Sequence, residues 1–201
     1  MPISVVLETH STTVDNESGH ATGWLPGALA PVGVEQAREL GARRRDDGLA
    51  AVFTSDLARA VETTSIAFEG STVPVLHDWR LRECDYGDWN GAPRAVVLAD
   101  PARYLDQPYP AGESWRQAVD RVAGFLADLP SRWAYQRVLV VGHVATRWAF
   151  SHVLDGVPLE ELAAEPFEWR PGWEYTIPPA DRPHTRRSPD VLQVWENLRS
   201  S

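Results

Sequence analysis

Four short apolar runs, separated by stretches with helical spacing, constrain the fold of this chain more than any other feature. The apolar runs are 3–7, 51–54, 73–76 and 137–141, and the helical stretches are 34–45, 57–68, 114–129 and 146–154. Such alternation is typical of a mostly parallel sheet, because each parallel connection needs a crossover that a helix supplies. We therefore expect a three-layer α/β fold, with an open, mostly parallel sheet and helices on both faces. Pro74 cannot donate to a strand ladder, so the third strand is expected near an edge.

The length and the loop composition predict one domain with two irregular segments. The chain has 201 residues, enough for a single sizeable core, and we expect one domain over 1–201. The stretch of about 78–112 is too long and too aromatic for a simple connector, which predicts a lid-like insertion. The Pro/Arg-rich segment of about 178–201 is predicted to be an irregular tail.

Composition excludes several classes of protein. The net charge of −9 argues against a protein that binds nucleic acid by neutralising phosphates. No apolar stretch approaches the roughly 18 to 20 residues of a membrane span, and no basic leader precedes the first strand. Cys84 is the single cysteine, so no internal disulfide is expected, and we predict a cytoplasmic protein. Every one of the 19 basic residues is Arg, which indicates a GC-rich bacterial genome and carries no function by itself.

Polar residues with catalytic chemistry follow three of the apolar runs. His10 and His143 come just past the ends of two strands, where open α/β sheets keep their active sites. Arg59 falls in the first turn of the helix after another strand, and Glu83 lies in the lid-like stretch. A lone histidine at such a place is more often structural, but a pair at the ends of two different strands favours a site. Together these residues supply a nucleophile, a second imidazole, a cation and an acid.

Five motifs in register resemble the histidine phosphatase superfamily, in its phosphoglycerate-mutase-like branch. They are His10 after a strand, Ser55-Asp56-Leu57-Ala58-Arg59-Ala60, Leu81-Arg82-Glu83 with Gly87-Asp88-Trp89-Asn90-Gly91, Gly112-Glu113-Ser114, and Val141-Gly142-His143. Asn16 and the pair Gly23-Trp24 also fall at the family's spacing after the histidine. The resemblance runs from residue 3 to about residue 155.

The resemblance implies a phosphatase that forms a phosphohistidine. In that mechanism neutral His10 attacks a phosphoryl group in line, and water then hydrolyses the intermediate. Glu83 serves first as general acid and then as general base, and a protonated His143 donates to a phosphoryl oxygen. Arg59 clamps the phosphate and Asn16 supplies a neutral donor, with Gly23 beside them. The implied partner is a small phosphorylated molecule; no metal or other cofactor is expected, and a homodimer is left open.

Two residues beside His10 depart from the family pattern. The family has Arg before the histidine and Gly after it, whereas this chain has Thr9 and Ser11. A missing donor of this kind costs roughly 3 to 4 kcal/mol of transition-state stabilisation. We expect Arg82, Arg147 or Arg80 to replace part of the missing guanidinium at the phosphate.

Three functions remain open on these residues. The first is a phosphomonoester hydrolase with a reorganised pocket. The second is a diverged enzyme that uses His10, His143 and Glu83 on a substrate without phosphate. The third is a catalytically inactive binding module. Because both histidines, Arg59 and Glu83 are all present, we favour the first, and Arg59 favours an anionic ligand.

Overall fold

The computed structural model describes residues 2–178, so the predicted tail beyond its first residue lies outside the described part. The strands are β1 (Ile3–Thr9), β2 (Ala51–Thr54), β3 (Val75–His77), β4 (Arg137–Gly142) and β5 (Trp173–Ile177). The helices are α1 (Val14–Glu17), α2 (Pro31–Arg44), α3 (Ala58–Ala67), α4 (Arg94–Val97), α5 (Trp115–Trp133), α6 (Val144–Phe150) and α7 (Leu159–Ala164). Single turns of 3-10 helix cover Trp79–Leu81, Gly87–Trp89 and Pro101–Tyr104, and a π turn covers Ser151–Asp155.

The five strands form one sheet in the order β3-β2-β4-β1-β5. Strands β3, β2, β4 and β1 are parallel, and β5 pairs antiparallel with β1. The predicted open, mostly parallel sheet is confirmed, and the strand that follows Pro74 lies at an edge. The sequence analysis did not predict β5, although its buried and exposed residues alternate with the period of a strand.

Helices cover both faces of the sheet, as expected. Along β1, Ile3, Val5 and Leu7 join one apolar cluster and Val6 joins the other, because successive side chains point to opposite faces. The larger cluster packs α5 and α6 against the sheet, and the smaller one packs α2 and α3. Between residues 2 and 178, no helix combines the length and apolarity that crossing a bilayer requires.

Candidate active site

The ends of two adjacent parallel strands bring the two histidines together. Thr9 of β1 lies opposite Gly142 of β4, and the His10 backbone N–H donates to the Gly142 carbonyl at 3.0 Å. The side chains of His10 and His143 follow directly, with ring centroids 5.0 Å apart. Helix α6 starts at once because Thr146 Oγ1 accepts the N–H of His143, which caps the helix and fixes that residue.

A single buried guanidinium joins both rings. Arg59 is 2% exposed; its Nε donates to His10 Nε2 at 3.2 Å, and its Nη2 lies 3.3 Å from His143 Nδ1. The same Nη2 donates to the Gly23 carbonyl at 2.9 Å, and Nη1 donates to the Leu25 carbonyl at 3.4 Å. Arg59 is therefore held by four acceptors, and it orients both imidazoles.

These contacts assign the ring protons. An arginine side chain is a donor only, so His10 Nε2 and His143 Nδ1 must both accept. His10 Nδ1 then carries the proton and donates to the Ser11 carbonyl at 2.7 Å. In His143 the proton is on Nε2, which is buried and has no hydrogen-bond partner among the described residues. The site thus holds one unprotonated imidazole nitrogen, which accepts from Arg59, and one unpaired N–H.

Both rings are neutral in the free protein. Burial, and then the nearby charge of Arg59, lower the pKa of His10 to about 3. Burial, Arg59 and the neighbouring ring of His10 lower the pKa of His143 well below its usual value. The sequence analysis expected a protonated His143 as donor. In the structure a neutral His143 offers a donor through Nε2–H.

The depressed pKa of His10 predicts a loss of stability in acid. An unfolded histidine takes up a proton near about pH 6.5, whereas folded His10 does so only near pH 3. The contribution of neutral His10 to the free energy of unfolding is therefore fully present above about pH 6.5. It is lost as the pH falls toward the pKa of folded His10. We expect the melting temperature of the wild type to fall more steeply between pH 7 and pH 4.5 than that of His10→Gln, measured by calorimetry. The exposed His77→Gln variant should keep the wild-type slope, and equal slopes in all three proteins would contradict the prediction.

Glu83 is oriented by the first N–H groups of α6. Its Oε1 accepts from Ala145 N at 3.0 Å and from Cys84 N at 2.9 Å, and Oε2 accepts from Val144 N at 3.2 Å. The side chain is 8% exposed and lines the same cavity as the histidines. The first N–H groups of a helix have no partner within the helix, so a side-chain oxygen can accept from them. The carboxyl group is thus fixed at the start of α6, which follows His143 in the chain.

Arg121 of α5 holds the backbone that carries Glu83. All five of its N–H groups are used: two bind Glu113, and the others bind three backbone carbonyls within residues 80–83, including that of Glu83 at 2.7 Å. Trp24 Nε1 donates to the same carbonyl of Glu83 at 2.6 Å. Sequence reasoning missed Arg121, although it lies two helical turns beyond the Gly-Glu-Ser motif at 112–114.

Asn16 and Gly23 complete the polar side of the cavity. The Asn16 side-chain oxygen accepts from Thr13 N at 3.0 Å, which leaves its amide NH₂ as the group that it can offer to a ligand. Gly23 has φ +55°, and a Cβ there would lie 1.8 Å from Asn90 Oδ1. Glycine is therefore required at position 23, where its carbonyl helps to hold Arg59.

Thr9 lines the cavity. Arg82, Arg147 and Arg80, which we expected to replace part of the missing guanidinium, do not line it. Each of them already has a partner elsewhere: Arg82 binds Asp56 through two bonds of 2.7 and 2.6 Å, Arg147 lies 5.2 Å over the Trp173 ring, and Arg80 binds Asp78 and Asp128. Within the part of the chain that the structure describes, the cation that lines the cavity besides Arg59 is Arg94 of α4, which the sequence analysis did not select.

Glu8 does not add a free negative charge to the site. Its side chain is buried and bonds to Arg44 Nε at 2.9 Å and to Arg43 Nη2 at 3.3 Å. Both arginines come from α2, on the face of the sheet opposite α5. The carboxylate before Thr9 is thus neutralised by ion pairs.

The candidate catalytic groups lie in one cavity of about 720 Å³. Its polar lining includes His10, Asn16, Arg59, Glu83 and His143, and His20 and Arg94 also contribute. Residues 163–169, from the end of α7 and the following loop, form part of the wall and were not anticipated from the sequence. Among the described residues, no cluster of three or more His, Cys, Asp or Glu side chains is arranged to hold a metal ion.

Comparison with known proteins identifies the family. The sequence profile of the histidine phosphatase superfamily (branch 1) matches residues 5–169. A 2,3-bisphosphoglycerate-dependent phosphoglycerate mutase from a Methylobacterium species is 33% identical over 79% of this chain and 83% of its own length. Phosphoserine phosphatase 1 from Hydrogenobacter thermophilus is 28% identical over 80% of each chain. A mycobacterial glucosyl-3-phosphoglycerate phosphatase superposes with a TM-score of 0.71 at 26% identity, over 82% of this chain and 84% of that protein. This chain therefore belongs to the histidine phosphatase superfamily.

Proposed function

We propose that this chain hydrolyses a small-molecule phosphomonoester through a phosphohistidine on His10. The observation that carries the proposal is the pair of assigned ring protons, with an accepting nitrogen on His10 and an unpaired N–H on His143 at the same cavity. In-line attack on phosphorus needs a nucleophile opposite the leaving oxygen and donors to the equatorial oxygens, and this pair supplies an attacking nitrogen and one such donor. Relatives named as phosphatases support hydrolysis as the reaction.

Each step of the proposed reaction has a residue to perform it. The phosphate takes over the Nε–H of Arg59, which frees the electron pair of His10 Nε2 to attack phosphorus. The bond to the leaving oxygen breaks as Glu83 gives that oxygen a proton. Water then attacks the phosphohistidine, Glu83 takes the proton of the water, and inorganic phosphate leaves. Arg59, the Nε2–H of His143 and the Asn16 amide bind the three equatorial oxygens, so the proposal assigns no step to a metal ion.

The proposal predicts a covalent intermediate on one nitrogen. Wild-type protein mixed with a panel of phosphomonoesters and quenched at alkaline pH should carry one phosphate on the peptide that contains His10, detected by mass spectrometry. His10→Ala should carry none, whereas His77→Ala, an exposed histidine of β3, should be labelled like the wild type. Turnover without labelling would favour a different reaction in the same cavity. The absence of both labelling and tungstate binding would favour an inactive module.

A further inference from the structure

The cavity is much larger than a phosphate group needs. Its volume is about 720 Å³, and its lining continues from the catalytic residues to a set of ring side chains, which we call the aromatic wall. The aromatic wall consists of Trp115, Trp148, Phe167 and Trp169. Leu98 of the lid-like stretch adds a further apolar side chain to the lining. The space beside the phosphate is therefore suited to an apolar leaving group.

Two parts of the aromatic wall differ in how firmly they are held. Trp115 and Trp148 are buried and lie against each other, with ring centroids 4.1 Å apart and planes tilted by 33°. Trp169 is 55% exposed, and it also lines a small pocket that adjoins Thr9 and His10. An exposed indole beside a nucleophile leaves apolar area that a ligand ring can cover.

The charges in the cavity do not favour a substrate with several anionic groups. Among the arginines that line it, Arg59 is buried and Arg94 is exposed on the short helix α4. Glu165 adds a negative charge to the segment that carries Trp169. With Thr9 at the end of β1, the phosphate has one guanidinium, that of Arg59, in the buried part of the site as far as residues 2–178 form it. Binding free energy has to come from the rest of the substrate.

We propose that this site takes phosphomonoesters whose leaving alcohol carries a bulky aromatic ring, bound against the aromatic wall. The inference rests on the proposed function, since it names the substrate class of the same site. Contact between the ring and the wall positions phosphorus on His10 Nε2, and the apolar contact offsets the weak electrostatic binding of the phosphate.

The test compares two esters whose leaving alcohols have similar acidity. The wild type should have a kcat/KM for 2-(1-naphthyl)ethyl phosphate about a hundredfold above that for ethyl phosphate, from the apolar area that the ring buries. Trp169→Ala should reduce this ratio about tenfold, and Trp169→Phe should restore part of it. Trp79→Ala is the matched control, because Trp79 is 53% exposed and lies outside the cavity lining. It should leave the ratio unchanged.

A second measurement separates this inference from the proposed reaction. The affinities of 2-(1-naphthyl)ethylphosphonate and ethylphosphonate, which are not hydrolysed, should differ by the same factor of about one hundred. If the naphthyl and ethyl compounds have equal affinities and equal kcat/KM values while His10 is still labelled, the proposed substrate class is wrong and the proposed reaction stands. Selective binding of the naphthyl phosphonate without any labelling of His10 would keep the binding site and overturn the reaction. A preference for 3-phosphoglycerate over the naphthyl ester would also overturn the inference.

Discussion

Replacing Arg59 by Ala should lower kcat/KM for any phosphomonoester by about a thousandfold or more. One preorganised donor to a developing charge contributes about a hundredfold to a thousandfold. Arg59 supplies more than one N–H to the space between the rings and also fixes the proton position of His143. Its loss removes the buried cation of the site and leaves the Gly23 carbonyl without its donor.

Two readouts separate this effect from a general loss of structure. Tungstate affinity, measured by calorimetry, should fall with Arg59→Ala and stay constant with Arg38→Ala, whose side chain is exposed on α2. ¹⁵N NMR should show His143 with its proton on Nε2 in the wild type and a mixture of both neutral forms in Arg59→Ala, whereas the Ser11 carbonyl keeps the His10 proton on Nδ1 in both proteins. Unchanged tungstate affinity in Arg59→Ala would mean that the anion does not bind between the histidines.

The strands that carry the site were predictable because their apolar runs are strong and local. His10 and His143 could be placed at the same edge of the sheet from the rule that active sites form at the carboxyl ends of parallel strands. Pro74 located the edge of the sheet through its missing N–H. The fifth strand was missed because its signal is an alternation of five residues, Trp173–Ile177, set between prolines and charged side chains.

The partners of long side chains could not be predicted in the same way. Arg82 and Arg147 follow the motifs closely in sequence, but their partners, Asp56 and Trp173, come from distant segments. An arginine side chain has several rotatable bonds, so its guanidinium can bind any carboxylate or aromatic ring that the fold places within reach. The same limit applies to residues 163–169, which come from the end of α7 and the following loop, and α7 is a helix that packs on the turn Pro101–Tyr104.

Adding a cation beside His10 should increase the rate of phosphate ester hydrolysis. Thr9→Arg should raise kcat/KM for ethyl phosphate by about a hundredfold, because it adds a charged donor at the end of β1. Thr9 lines the cavity and adjoins the small pocket beside Trp169, so a longer side chain has space to enter. Glu8 is already paired with Arg43 and Arg44 and does not compete for the new guanidinium.

The control for Thr9→Arg is Thr9→Gln, which lengthens the side chain without adding a charge. If the missing charge limits the reaction, Thr9→Arg should tighten tungstate binding and raise kcat/KM, and Thr9→Gln should do neither. A gain in both variants would assign the effect to the filling of space beside His10. If Thr9→Arg binds tungstate more tightly but hydrolyses ethyl phosphate no faster, the added charge stabilises the bound ground state as much as the transition state. In that case the slow step depends on the leaving group, and Glu83 rather than the phosphate clamp would limit the rate.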